Sequence, residues 1–486
     1  MTVLIPGSTC WRTEIAQRVA LLMDNEPYYA ALFSALRAAE RSIHILGWAF
    51  DPRTRLVPDG REGPDDPDEI GRVLVELCRA TPGLDVRILI WRSPFGVMGH
   101  QDIRGHRAKR QFARTPVDFR EADDLPFGAC HHQKMVVIDD HVAFCGGGDI
   151  VTDRWDSQSH RDIEPRRILP DHDRHPARHE VMMLVDGRAA MALGELFRDR
   201  WEGATGEIPP DALPTYSDPW PACAPIQFSD VQVGIARTRP AWRRRPLVDE
   251  IRQLALKCIA SARQTIYLEN QYFTCRGVAE ALAARLREPG GPEVLLLLSG
   301  RAPSWFDHLT MDSARNPLIR RLRGADPFNR FRALSPKTTA GAPILLHSKV
   351  AVFDDRVVRV GSANLNNRSE GFDTECELAI DADTNTDRQA IAEFRDQLLS
   401  HYLAVDAARF AAARIAGGGI LAGIDALNVD GRLAPVAMGP PTWWEEFVFA
   451  RGLGDPGSTE ESWRPHAPKA LTWSTPGRAR RVSDRW

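Results

Sequence analysis

The chain has 486 residues, with 62 Lys and Arg against 65 Asp and Glu, a formal net charge of −3. That near-neutral balance disfavours a protein built to coat nucleic acid, which carries a strong basic excess, so no nucleic-acid partner is expected. No apolar run reaches the roughly 18 residues of a spanning helix, and the eight cysteines are scattered without a C-x-x-C pair, which suggests neither a disulfide framework nor a zinc site and fits a reducing cytoplasm.

The N-terminal stretch MTVLIPGSTCWRTEIAQR lacks the basic-then-apolar layout of a secretory signal. AAERSIHILGWAF (38–50) reads as the end of an Ala-rich helix followed by an apolar strand, and VRILIW (86–91) as a second strand. HHQKMVVIDD (131–140) sets titratable groups at the mouth of a core strand. Side chains alternate along a strand, so His132 and Lys134 share one face, while Asp139 falls at the far end. DHDRHPARHE (171–180) collects His172, His175 and His179; its Pro and charge content reads as a solvated loop inserted in the first half rather than a metal cluster. HEVMMLVDGRAAMALGELFRDRW (179–201) is a strand and then an amphipathic helix.

The second half opens on RTRPAWRRRP (237–246), read as a surface linker, with contact to anionic headgroups as the alternative. From there the first half is repeated. ASARQTIYLENQYF (260–273) and EVLLLLSG (293–300) match the two early strands. LHSKVAVFDD (346–355) repeats H-x-K-x4-D, so that His347, Lys349 and Asp354 stand 215 residues after His132, Lys134 and Asp139. Gly361 matches Gly146 and Asn364 matches Asp149 without a gap, and CELAIDADTNTDRQAIAEFRDQL (376–398) matches the later strand and helix. Such self-similarity marks a duplicated chain. The expected fold is α/β: two similar lobes, each a sheet flanked by helices, related by a pseudo-two-fold axis with the site between them. The lobes are placed at 1–215 and 216–404, followed by a tail, 405–486.

RAPSWFDHLTMDSARNPLIRRLRG (301–324) passes from loop to basic amphipathic helix; Trp305 and Phe306 suit either a substrate entrance or the core. The tail opens with an Ala-rich helix, VDAARFAAARIAG, and holds five of the thirteen tryptophans, Trp443, Trp444, Trp463, Trp473 and Trp486. It is expected to pack back onto the lobes, with an interfacial belt as the other reading.

Two histidines, each beside a lysine on related lobes, suit a reaction at a phosphodiester. One neutral imidazole attacks phosphorus while the other, protonated, gives its proton to the leaving oxygen; the roles then reverse as water or an alcohol enters. Lys134 and Lys349 face the non-bridging oxygens, and the scheme requires no metal or other cofactor. Ser362 and Asn364 are candidate phosphate ligands with Asp149 at the matching place, although an ionised Asp149 cannot donate. Glu180 and Glu377, near the starts of matching strands, are assigned to orient the histidines of their own halves, with Glu375 as the competitor to Glu377. Asp139 and Asp354 belong to the catalytic motif, but their distance from the histidines suggests a structural task, capping a turn.

The doubled H-x-K-x4-D followed by G-G/S-x-N/D resembles the phospholipase D superfamily. HHQKMVVID, GGGDIVTDRWD, IYLENQYF and GSANLNNRS look like the long enzymes of that family that act on phosphatidylcholine-type lipids. The resemblance covers about residues 20 to 404. It implies a phosphohistidine intermediate, His132 and His347 as the catalytic pair with His132 favoured as nucleophile, and a glycerophospholipid substrate met at a membrane surface by a monomer, cytoplasmic or peripheral. It departs from the family in two ways. No lipid-binding module precedes the first lobe, and Glu180 stands where many relatives carry Asp.

Overall fold

A computed structural model describes residues 2–58, 68–93, 100–212, 215, 217–300, 302 and 307–463. Trp305, Phe306, Trp473 and Trp486 lie outside them. The strands are β1 (Arg12–Met23), β2 (Ser42–Gly47), β3 (Asp85–Trp91), β4 (Asp118–Ala122), β5 (Met135–Ile138), β6 (Val142–Gly146), β7 (Arg178–His179), β8 (Val181–Asp186), β9 (Phe228–Arg239), β10 (Val248–Asp249), β11 (Thr265–Asn270), β12 (Glu293–Leu298), β13 (Phe331–Pro336), β14 (Leu345–Leu346), β15 (Val350–Phe353), β16 (Val357–Gly361), β17 (Glu375–Asp381) and β18 (Leu433–Pro435).

The first half lays its strands in the order β1-β8-β6-β5-β2-β3-β4, and the second repeats it as β9-β17-β16-β15-β11-β12-β13. β1 and β9 pair antiparallel, from Arg12↔Ile235 to Val19↔Phe228, so the two halves form one continuous sheet rather than two. Both central strands have 12 residues and turn wholly apolar where they run through the core. The stretch 237–246 is therefore only partly a linker. Arg237, Thr238 and Arg239 end β9, and the Arg237 guanidinium pairs with Glu250 at 2.9 Å.

Packing makes the halves one body. One core cluster is shared, joining β1, β8 and β17 to the helices Gly187–Thr205 and Asn385–Leu403. Two further clusters lie mainly in one half each, under the helices Asn25–Arg37 and Ile70–Ala80 in the first and Glu250–Ser261 and Arg276–Arg287 in the second, the latter joined by Val3, Leu4 and Cys10 of the N-terminal segment. The apolar strand faces and the helical spacing of buried Ala and Leu account for all three.

The described part of the tail, residues 405–463, packs back onto the lobes. Helices Ala407–Gly417 and Ile420–Leu427 bury Phe410, Ile420 and Ile424 in the shared core, and β18 extends the sheet beside β13. Helix Trp443–Arg451 lies on helix Ser313–Gly324, where Glu445 accepts from Asn316 at 2.7 Å and Arg320 at 2.8 Å. No single helix among the described residues is long and apolar enough to cross a membrane. The eight cysteines are all free.

The inserted loop before β8 is more ordered than its composition suggests. His172 is exposed, but His175 and His179 are buried, together with Arg154, Asp156, His160 and Arg167.

Candidate active site

Each H-x-K segment enters its strand along the opposite half. His132 N donates to the Thr374 carbonyl and His347 N to the His179 carbonyl, both at 2.9 Å. β14 pairs parallel with β7, and a bridge between His131 and Thr374 repeats that contact on the symmetry-related side. The backbone thus ties each histidine to the residue just before a glutamate of the other lobe.

The carboxylates follow that crossing. Glu180 Oε2 lies 2.6 Å from His347 Nδ1, and both Glu375 oxygens lie 3.0 Å from His132 Nδ1. The expectation that each glutamate serves its own half is corrected, and so is the assignment of Glu377. The ladder registers explain it. Gly146 pairs with Met182 and Gly361 with Glu377, so the position equivalent to Glu180 is Glu375. Glu377, two residues further along β17, instead holds Arg359 in a buried ion pair.

Lys134 and Lys349 are both buried, and each Nζ donates to the carbonyl of its own motif histidine. Asp149 accepts from Trp48 N at 2.8 Å and Ala49 N at 3.1 Å, and its second oxygen stands 3.6 Å from Lys134 Nζ. It thus balances Lys134. The matching Asn364 keeps a buried Oδ1 without a partner. Ser362 differs from its expected role: its hydroxyl donates to Glu375 at 2.5 Å, and Ser369 donates to the other Glu375 oxygen at 2.6 Å. Ser362 positions the carboxylate behind His132.

Asp139 and Asp354 stand beyond the strands from the histidines. Asp139 accepts from the backbone of Glu40, Arg41 and Ser42, and Asp354 from Arg263, Gln264 and Thr265, at 2.5–2.9 Å. Each holds the entry of the neighbouring strand, β2 or β11, and neither reaches the site. Their φ values, 56° and 53°, are ones that Asp tolerates better than most residues. The structural reading of these two replaces the catalytic one.

Close packing brings these groups together. A Cβ on Gly147 would meet Glu180 Oε1 at 2.4 Å and the His347 carbonyl and Lys349 Cδ at 3.0 Å, so only glycine lets the two lobes approach here. Burial, then Lys134 and Lys349, hold His132 well below the usual imidazole value. Burial, then Lys349 and Arg178, do the same for His347. Burial raises Glu375 to about 7 and lowers Lys349 to about 7. On both partners of the His132–Glu375 pair, then, desolvation favours the neutral forms.

Sequence reasoning missed Arg154 and Arg178, buried cations that bear on His347 and on its partner Glu180. The position in the second half that corresponds to Arg178 is the acidic Asp373, so the duplication offered no signal. It also passed over the half-exposed Trp48, which meets His132 edge-on at 6.4 Å and stacks on Trp91 at 5.9 Å.

The family model described as "Phospholipase D" matches residues 35–217, and that described as "Cardiolipin synthase, PLD-like domain" matches residues 255–399. Among curated relatives, phospholipase D A of Dictyostelium discoideum is 23% identical over 423 residues, 74% of this chain and 32% of that protein. Cardiolipin synthase A of Pseudomonas aeruginosa strain LESB58 is 25% identical over 393 residues, 75% of this chain and 66% of that one. The chain thus spans about a third of the length of the first of these. The crystal structure of phosphatidylserine synthase from Haemophilus influenzae Rd KW20 shares the fold, with a TM-score of 0.56 at 14% identity over 86% of this chain and 95% of that one.

Proposed function

The chain belongs to the phospholipase D superfamily, and from that premise we propose that it is a phosphodiesterase that hydrolyses glycerophospholipids to phosphatidic acid and a free headgroup, and that also passes the phosphatidyl group to alcohols. The observation that carries this reading is the crossing of the two His–Glu pairs between the lobes, around two buried lysines. Neutral His132, held at Nδ1 by Glu375, presents Nε2 to phosphorus. The P–N bond forms as the P–O bond to the headgroup breaks, and His347, protonated at Nε2, gives its proton to the departing oxygen. Water or an alcohol then takes the vacated position and loses its proton to His347. Its attack on phosphorus releases His132.

Lys134 and Lys349 supply charge to the non-bridging oxygens, and Asn364 can add a hydrogen bond donated by its side-chain Nδ2. The anionic diester counters the cations that hold His347 low, so its arrival favours the protonated imidazole the first step needs. Trp48 and Trp91 form an apolar lip beside His132, which suits the glycerol and acyl portion of a lipid. The buried Glu180 and Glu375 on opposite lobes require both halves in one active unit, consistent with a monomer.

The test is a panel of phospholipid vesicles with a little primary alcohol and full product identification. Phosphatidic acid together with phosphatidyl-alcohol is expected, and rapid quenching in denaturant without acid is expected to trap the phosphatidyl group on His132. Formation of a diphosphatidyl product from phosphatidylglycerol, with no headgroup hydrolysis, assigns the chain instead to the lipid-to-lipid transferases. Turnover that persists in His132→Ala or His347→Ala removes the paired mechanism.

A further inference from the structure

Beneath His347 lies a second cluster of histidines that the reaction does not use. Asp24 stands between β1 and helix Asn25–Arg37, His160 lies in the inserted loop, His179 is in β7, and His401 comes from the last turn of helix Asn385–Leu403 in the other lobe. One side-chain donor atom from each lies within 4.8 Å of all the others. His179 Nδ1 is 2.8 Å and His160 Nε2 3.6 Å from Asp24 Oδ1, and the Nε2 atoms of His160 and His401 are 3.3 Å apart. Tetrahedral Zn2+ with bonds of about 2.0–2.2 Å sets its donor atoms about 3.3–3.6 Å apart. Two of the three separations match that figure, and the third needs a widening of some tenths of an ångström.

The remaining ring nitrogens make the stronger argument. His160 Nδ1 meets Asp156 Oδ2 at 3.0 Å, His401 Nδ1 meets the Leu398 carbonyl at 2.6 Å, and His179 Nε2 faces Glu269 Oε1 at 3.0 Å. His160 and His401 are therefore held from behind by an oxygen acceptor and His179 Nε2 faces a carboxylate, while their other nitrogens converge on one point beside Asp24. Metal-bound histidines are oriented in this way. Asp24, Asp156, His160 and His179 are buried, and the second oxygen of Asp24 has no hydrogen-bond partner. Asp24 also holds φ at 70°, a conformation a non-glycine residue keeps only under constraint from its surroundings.

We propose that Asp24, His160, His179 and His401 bind a divalent transition metal, zinc by the donor set, in a closed four-ligand structural site. The ion ties helix Asn385–Leu403 of the second half to β1 and the insertion of the first. Its position also bears on the catalytic centre: the His179 carbonyl receives the His347 amide, the next residue is Glu180, and Glu269 accepts from Ser348. The stretch DHDRHPARHE thus contributes one ligand, His179, whose partners lie far off in the sequence.

The test uses the full chain without a polyhistidine tag, incubated with ZnSO4 and desalted, with metal measured by mass spectrometry. About one Zn2+ per chain is expected, falling at least tenfold in His160→Ala and in His401→Ala. Co2+ in place of zinc should give the visible bands of tetrahedral coordination, absent from both variants. A strong chelator should lower the unfolding temperature of the wild-type chain and leave that of His401→Ala unchanged. Wild-type protein that retains less than a tenth of an equivalent after incubation overturns the site whether or not the variants fold, as does full binding in both variants. None of these readouts depends on lipid turnover, so the site and the proposed reaction fail separately.

Discussion

Behind each catalytic imidazole stands a carboxylate whose loss is readable. Glu375→Gln and Glu180→Gln should lower kcat by roughly 10²–10⁴-fold while substrate still binds, because an amide cannot hold the tautomer that leaves Nε2 free. Glu377→Gln serves as the internal control, two residues from Glu375 on the same strand but paired with Arg359 rather than with a histidine. It leaves Arg359 buried without its counter-charge, so denaturant unfolding should show a loss of about 3 kcal/mol with kcat in the folded protein little changed. The pH profile belongs to this scale as well. Glu375, raised to about 7, must be ionised to hold His132, which gives kcat/KM an acid limb; Lys349, lowered to about 7, must be protonated to meet phosphate, which gives an alkaline limb. The bell should therefore be narrow and centred close to pH 7, with its apparent values belonging to the coupled site. Lys349→Arg should carry the alkaline limb upward. The same shifts act on stability with opposite slopes. Glu375, whose folded value lies above its unfolded one, contributes stability at low pH that is lost as pH rises toward 7. Lys349, whose folded value lies below, costs stability at neutral pH that is recovered above 7.

Among the elements, the two aspartates that close the H-x-K-x4-D motifs act on strand entry. Asp139→Ala or Asp354→Ala strips three backbone amides of their acceptor, which should cost about 1–3 kcal/mol in unfolding measurements and leave kcat of the folded enzyme near the wild-type value. A motif aspartate with that signature is a fastening of β2 or β11. Gly147, just past the end of β6, is the converse case. Gly147→Ala drives a methyl group into Glu180 and Lys349, so activity should fall by at least about tenfold along with 1–3 kcal/mol of stability, as for other overpacked sites.

For the whole molecule, the crossing of the histidine–glutamate pairs makes each half incomplete without the other. A double-mutant cycle read in unfolding free energy tests this. The change in Glu375→Gln should be non-additive with that in His132→Ala, and the change in Glu180→Gln with that in His347→Ala. Same-lobe combinations should simply add. If instead Glu180→Gln couples to His132→Ala and not to His347→Ala, the crossing is wrong. The shared core and the β1–β9 pairing give the lobes a single stability, so unfolding should follow one cooperative transition rather than two.

The sequence by itself determined the duplication, the helix–strand alternation and the two His–Lys pairs, because a fixed spacing of 215 and strand periodicity are properties of the chain alone. It carried the behaviour of the tail too, through its apolar helices. Tertiary structure alone decided which glutamate meets which histidine. A slip of two residues keeps a side chain on the same face and so leaves Glu375 and Glu377 equivalent by pattern, and only the ladder between β16 and β17 fixes the register. It alone also placed Ser362 against Glu375, and it gathered Asp24, His160, His179 and His401 from four distant segments. Contacts of that kind depend on how the chain closes in space, which no local periodicity records.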